Sequence, residues 1–179
     1  RDEVFFLGEA RCPRCAHQDR SKLFADEVKT IHDHLAERNK TLWIWGDRLI
    51  DGRSTGIGMW EASYNDTWRA VDMIPKDVVI CDWHYDRPDK TAVYFSMKGL
   101  RVLTCPWRTP EFAVQQIRDI LNFRANSTPE MKDRFLGILE TTWTHTGRFM
   151  QGYYNKQPDD EKSSWNTYKV ICEEIGKLK

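Results

Sequence analysis

Four short apolar runs, separated by amphipathic stretches, constrain this sequence more than any other feature. Residues 41–47, 78–83, 101–107 and 137–143 each read as a buried strand: short, rich in β-branched and aromatic residues, and closed by a turn signal. The stretches around and between them read as helices. Phe24, Val28, Ile31 and Leu35 share a face over 21–39, with Asp19 or Ser21 available as cap; Asp66 caps a short helix over 67–74, which Pro75 stops. Ala92, Val93, Phe95 and Met97 mark a helix ending at Gly99, and Thr109-Pro110-Glu111 and Thr128-Pro129-Glu130 are capped starts with proline at the first helical position. Trp165, Tyr168, Ile171, Ile175 and Leu178 fall on one side of a last helix. Strands that are apolar on both faces and alternate with helices predict an α/β fold, a parallel sheet covered by helices. No Gly-x-Gly-x-x-Gly or Walker loop follows any strand, which removes the usual reason to choose a nucleotide-binding sheet over a barrel.

Charge and composition exclude several classes. Lys+Arg and Asp+Glu are both 27, so no net field favours nucleic acid, and no basic run is interleaved with aromatics. No apolar run reaches membrane-spanning length, and localisation stays open. Of five cysteines, Cys81, Cys105 and Cys172 lie in apolar or amphipathic segments and read as reduced structural thiols. Cys12 and Cys15, with His17 close behind, have the spacing of half a zinc site or of a local disulfide. With no second pair, they read as a loop-bracing thiol pair, with no bound metal and no cofactor expected.

What ends the strands points to chemistry. Trp45 and Asp47, Asp82 and Trp83, Trp107, and Trp143 recur at the same place in successive units, and eight tryptophans exceed the packing needs of a domain this size. Trp43, Trp68 and Trp165 are assigned to packing. In (β/α) barrels the strand C-termini build the active site. Aromatic rings there accept the C–H faces of a pyranose while carboxylates bind its hydroxyls, so the rim predicts a sugar pocket. Asp2 and Glu3, adjacent carboxylates before an apolar run, repel each other; one of them holds its proton more readily, as a general acid requires.

These residues resemble glycoside hydrolase family 20, the β-N-acetylhexosaminidase-like (β/α)8 barrels. Asp2-Glu3-Val4 is similar to the end of that family's His-x-Gly-Gly-Asp-Glu motif on strand four. Trp45 resembles the tryptophan ending strand five and Trp83 that of strand six; Pro106-Trp107 resembles the turn after strand seven, and Trp143 the rim tryptophan of strand eight. The resemblance implies the C-terminal half of a TIM barrel, strands five to eight, over 1–154, with 155–179 a trailing helix. It implies substrate-assisted hydrolysis of terminal β-linked N-acetylhexosamine, in which the 2-acetamido carbonyl attacks its own anomeric carbon. Glu3 would protonate the leaving oxygen, and Asp2 would hold the acetamido N–H and stabilise the growing positive charge. Trp45, Asp47, Asp82, Trp83, Tyr85, Trp107, Trp143 and His145 would bind substrate.

The chain departs from the family at two places. Strand seven offers Cys105-Pro106-Trp107-Arg108 where the family carries Tyr-x-Asp, and His145 stands where a glutamate is usual. Tyr85 and Asp86 are candidates to supply equivalent groups. Two other readings stay open: a non-catalytic carbohydrate-binding barrel, and a barrel hydrolase of another class with Asp47, Asp82 and Glu140 as its acids. The expected partners are an oligosaccharide or glycoconjugate and the N-terminal half of the same barrel. The 179 residues expressed alone are expected to be inactive and poorly soluble.

Overall fold

The computed structural model describes residues 6–154 and 163–178. Among these the order is α1 (Arg20–Ala36), β1 (Trp43–Trp45), α2 (Gly52–Thr55), β2 (Val79–Asp82), α3 (Thr91–Met97), β3 (Arg101–Thr104), α4 (Pro110–Ala125), α5 (Pro129–Lys132), β4 (Phe135–Ile138), α6 (Thr146–Tyr153) and α7 (Ser164–Gly176). Short 3-10 turns lie at Asp47–Leu49 and Trp68–Asp72. The strands form a four-stranded parallel sheet in the order β1-β2-β3-β4, the α/β architecture that the alternation predicts. The order is consecutive, without the reversal that marks the switch point of a doubly wound sheet. Two compact units divide the chain: described residues up to Ile80 with Lys98–Arg101, and Cys81–Met97 with the described residues from Val102 onward. The expected boundary between 154 and 155 falls at the edge of the described residues.

In the first unit, the Asp19 carboxylate caps α1 by accepting from the Lys22 amide at 3.0 Å. The helix buries Ser21, Ala25 and Val28, and the Ser21 hydroxyl donates to the carbonyl of Asp66. Asp66 does not cap a helix over 67–74. Its backbone is left-handed (φ 64°), its carboxylate takes Arg53 at 2.8 Å, and only the 3-10 turn Trp68–Asp72 follows. Trp43 is half exposed rather than packed. His32 lies between Asp77 and Asp33, each 2.9 Å away, and these carboxylates raise its pKa. The glycine-rich excursion after β1 is held by polar groups. Buried Arg48 pairs with Asp47 at 2.6 Å and donates to the carbonyls of Met59 and Trp60 at 2.8 and 3.1 Å. Buried Thr67 donates to the Arg48 carbonyl at 2.9 Å and meets the Ser63 hydroxyl at 2.8 Å.

The second unit is apolar at its centre. β3 and β4 pair in parallel, Val102 with Phe135 and Thr104 with Ile138, with a register shift between Val102 and Leu103. Ala113 and Ile117 of α4, Ile171 of α7 and Ile138 of β4 pack together. Burying each large aliphatic side chain there contributes about 1.5–3 kcal/mol. Pro110 opens α4, and Ser163 caps α7 by accepting from the Asn166 amide at 3.1 Å. The fourth strand lies earlier than 137–143, because Phe135 is the fully buried partner of Val102. Beyond it the ladder continues as single bonds, Leu139 N–H to the Thr104 carbonyl and Thr141 N–H to the Pro106 carbonyl, both 2.9 Å. No described helix is long and apolar enough to cross a membrane.

Candidate functional site

The C-terminal ends of β2, β3 and β4 bring three indoles of the second unit around one phenol. Tyr85, just after β2, is 9% exposed. Its ring centroid lies 4.9 Å from Trp83 at 40° and 5.3 Å from Trp107 at 68°. Its hydroxyl accepts from the Trp143 indole N–H and from the Thr141 hydroxyl, the latter at 3.2 Å. Trp107 donates its indole N–H to the Ser164 hydroxyl at the start of α7, 2.7 Å, and carries the Arg108 guanidinium 4.4 Å above its ring. Parallel strands explain the convergence. Their carboxyl ends all lie at one edge of the sheet, so residues just past each strand meet there. Trp143 stays 48% exposed and Trp83 and Trp107 are half-buried, which leaves aromatic surface for a ligand.

A second cluster is polar and closed. Asp82, 1% exposed, ends β2, and its carboxylate accepts from the Thr91 hydroxyl at 2.7 Å. His84, 2% exposed, places Nε2 2.7 Å from that hydroxyl and 3.2 Å from the other Asp82 oxygen. With the Thr91 proton directed at Asp82, Nε2 must be the donor, which fixes the proton on that ring nitrogen. Nδ1 faces the Asp89 carboxylate at 3.5 Å, and the His84 carbonyl accepts from Gln116 at 2.9 Å. The histidine is therefore flanked by the carboxylates of Asp82 and Asp89.

Glu140 follows β4. The ladder bonds made by Leu139 and Thr141 put alternate residues on opposite sides, so Thr141 meets Tyr85 while Glu140 faces away toward Tyr168 of α7, whose pKa is raised by Cys172 first and by Glu140 in smaller part. One Glu140 oxygen is buried without a hydrogen-bond partner among the described residues. Burial pushes its carboxyl up from 4.5 to about 8, so it is largely protonated at neutral pH.

Of the residues that the sequence nominates, Trp83, Tyr85, Trp107 and Trp143 come together. Asp82 lies inside the His84–Thr91 network. His145 is exposed at the start of α6, where its carbonyl accepts from the Arg148 amide at 2.9 Å. Trp45 and Asp47 belong to the first unit, and Asp47 is engaged by Arg48. Asp2 and Glu3 lie outside the described residues. Sequence reasoning missed His84, Thr91, Thr141 and Ser164. An Asp-x-His spacing at a strand end was the available signal for the first; the others come from elsewhere in the chain and carry no local mark. No protein-family model matches this chain, and no curated protein matches it.

Proposed function

We propose that this chain supplies strands five to eight of a (β/α)8 glycoside hydrolase, and that Trp83, Tyr85, Trp107 and Trp143 line its sugar site. The observation that carries the reading is the meeting of three indoles from consecutive parallel strand ends on Tyr85, Trp83 and Trp107 against its ring and Trp143 on its hydroxyl. Partly exposed indoles present flat apolar faces to the C–H groups of a sugar ring, and the network behind Tyr85 fixes their positions before the ligand arrives. The consecutive strand order supports a singly wound barrel over a doubly wound sheet. In this reading Glu3 is the general acid and Asp2 orients the 2-acetamido group of a terminal N-acetylhexosamine. Tyr85 stands in for the acetamido-gripping tyrosine that strand seven lacks.

The test uses matched aryl glycosides, 2-acetamido against 2-hydroxy, on the protein that contains this chain. Wild type should prefer the 2-acetamido sugar. Glu3→Gln should lose on the order of a hundredfold or more in kcat on poor leaving groups and less on activated ones. Asp2→Asn should lose heavily even on activated leaving groups, and only on the 2-acetamido substrate. Trp143→Ala should raise KM with a smaller effect on kcat. Preference for the 2-hydroxy sugar would exclude the substrate-assisted mechanism. Sugar binding that Trp143→Ala weakens, without turnover, would identify a binding barrel instead.

A second reading rests on Glu140, whose buried carboxyl keeps its proton up to about 8. A neutral carboxylic acid at pH 7 can serve as the proton donor of a different hydrolase. If Glu140→Gln abolishes turnover while Glu3→Gln is tolerated, that reading replaces the first.

A further inference from the structure

The thiol pair near the N-terminus lies in the first unit and is not among the residues of the aromatic cluster in the second. Three features place it. Successive turns fold the segment on itself: the Cys12 amide donates to the Glu9 carbonyl at 2.9 Å, the Ala16 amide to Cys12 at 3.2 Å, and the Gln18 amide to Cys15 at 3.2 Å. The two sulfurs therefore meet, Cys15 Sγ donating to Cys12 Sγ at 2.7 Å, and both residues are partly exposed and reduced. Main-chain donors point at both sulfurs, the Cys15 N–H at Cys12 Sγ (3.3 Å) and the Gly8 N–H at Cys15 Sγ (3.4 Å). Gly8 holds that direction with φ +74°, where a Cβ would come within 2.7 Å of Arg20 Cγ.

A metal site fits poorly. Among the described residues no third histidine, cysteine or carboxylate joins the two sulfurs within ligand distance, and a closed zinc site needs four ligands. A sulfur that receives hydrogen bonds from an N–H and a neighbouring thiol is instead suited to bear charge. The Cys15 thiol, the nearby amides and the charge of Arg14 lower the Cys12 pKa, while the same contact with Cys12 raises that of Cys15. The geometry assigns the attacking and the resolving sulfur: Cys12 Sγ receives both the Cys15 amide and the Cys15 thiol, whereas Cys15 Sγ receives the Gly8 amide and gives its own proton away.

We propose that Cys12 and Cys15 form a dithiol that exchanges reversibly with low-molecular-weight disulfides, Cys12 attacking and Cys15 resolving. With glutathione disulfide, the Cys12 thiolate attacks one sulfur and the disulfide bond breaks. One glutathione leaves as thiolate and takes a proton from water, leaving a mixed disulfide on Cys12. Cys15 then gives up its proton and attacks the Cys12 sulfur, and the second glutathione departs in the same way. Two electrons pass from the protein to glutathione disulfide, yielding two glutathione thiols and one Cys12–Cys15 disulfide.

The experiment holds the purified protein in excess oxidised or excess reduced glutathione, quenches with acid, alkylates, and maps the cysteine peptides by mass. Wild type should carry the Cys12–Cys15 disulfide in oxidised buffer and return to the dithiol in reduced buffer. Exposed Cys172 serves as the internal reference. At neutral pH, Cys12 of the reduced protein should alkylate faster than Cys172, by on the order of tenfold. Cys15→Ser should stop at glutathione on Cys12, and Cys12→Ser should carry no more adduct on Cys15 than on Cys172. The proposal is overturned if wild type forms no Cys12–Cys15 disulfide and takes up glutathione equally at Cys12 and Cys172. It is also overturned if stoichiometric zinc protects both thiols. The wild-type arms decide the matter even if a variant fails to fold.

Discussion

The two units of this chain are ordered by different means. In the second, β3, β4, α4 and α7 close on apolar side chains, with Phe135 and Val102 fully buried and Ala113, Ile117 and Ile171 in mutual contact. In the first, residues 46–67 have little regular structure, and buried Arg48, Ser63, Asn65 and Thr67 occupy places that aliphatic groups would otherwise take. The contrast shows two solutions to one requirement, that every buried backbone polar group be paired. Ladders and helices do most of this in the second unit, with side chains such as Gln116 and Arg134 adding single bonds to the carbonyls of His84 and Ser96. Where the chain makes no regular ladder, side chains do it: Arg48 caps the carbonyls of Met59 and Trp60, and Thr67 caps that of Arg48.

Two substitutions test whether the difference is real. Phe135→Ala removes a fully buried ring that pairs across the sheet and lies 5.5 Å from Phe123, and should cost about 4 kcal/mol of stability. Urea denaturation measures the loss, and hydrogen exchange should speed first in β3, β4 and α4. Arg48→Met keeps the volume but strands two carbonyls and leaves the Asp47 carboxylate without its 2.6 Å partner, so about 3 kcal/mol is expected. There exchange should speed first at the Gly52 and Ser63 amides, which bond Ser63 and Ile50 at 2.9 and 2.8 Å. Were Arg48→Met neutral while Phe135→Ala was not, the polar network would be decoration on an apolar core.

The same contrast explains what the sequence discloses. Elements with local signals are legible: α1 from the Asp19 cap, α4 and α5 from Thr-Pro starts, and β2 and β3 from their apolar runs. Elements that depend on distant partners are not. α6 carries Gly147 and Gly152, poor helix formers, and has no local signal; Phe149 and Tyr153 hold it by edge-to-face contacts with Trp165 of α7 at 5.6 and 5.2 Å. Gly152 is required by that packing, since a Cβ there would come within 2.7 Å of the Trp165 ring. Gly152→Ala should therefore cost about 1 kcal/mol despite alanine's better helix propensity, because the clash outweighs the gain. A stabilised variant would mean that the α6–α7 contact yields easily. In the site, the aromatic strand ends follow from the parallel arrangement alone. The His84–Thr91–Asp82 bonds do not, because Thr91 belongs to α3.

The last test concerns Glu140, a half-buried acid with one carboxyl oxygen that has no hydrogen-bond partner among the described residues. Its carboxyl titrates at an ordinary 4.5 in the unfolded chain and near 8 when folded, because burial disfavours the charge. Between those values the native state holds a proton that the unfolded chain has released, so stability falls as pH rises through the window and levels off above about 8. His32 acts in the same direction. Its pKa is raised by Asp77 and Asp33, so its contribution is complete below 6.5 and lost as pH climbs through its raised value. Wild type alone cannot separate the two groups, but Glu140→Gln can, since glutamine keeps the shape and never ionises. The urea midpoints of wild type and variant should differ least near pH 5 and most above pH 8, about the limits of the titration window, with the variant gaining as pH rises. A constant difference across that range would mean that the Glu140 carboxyl is solvated in the folded protein, and the acid-based alternative for catalysis would lose its support.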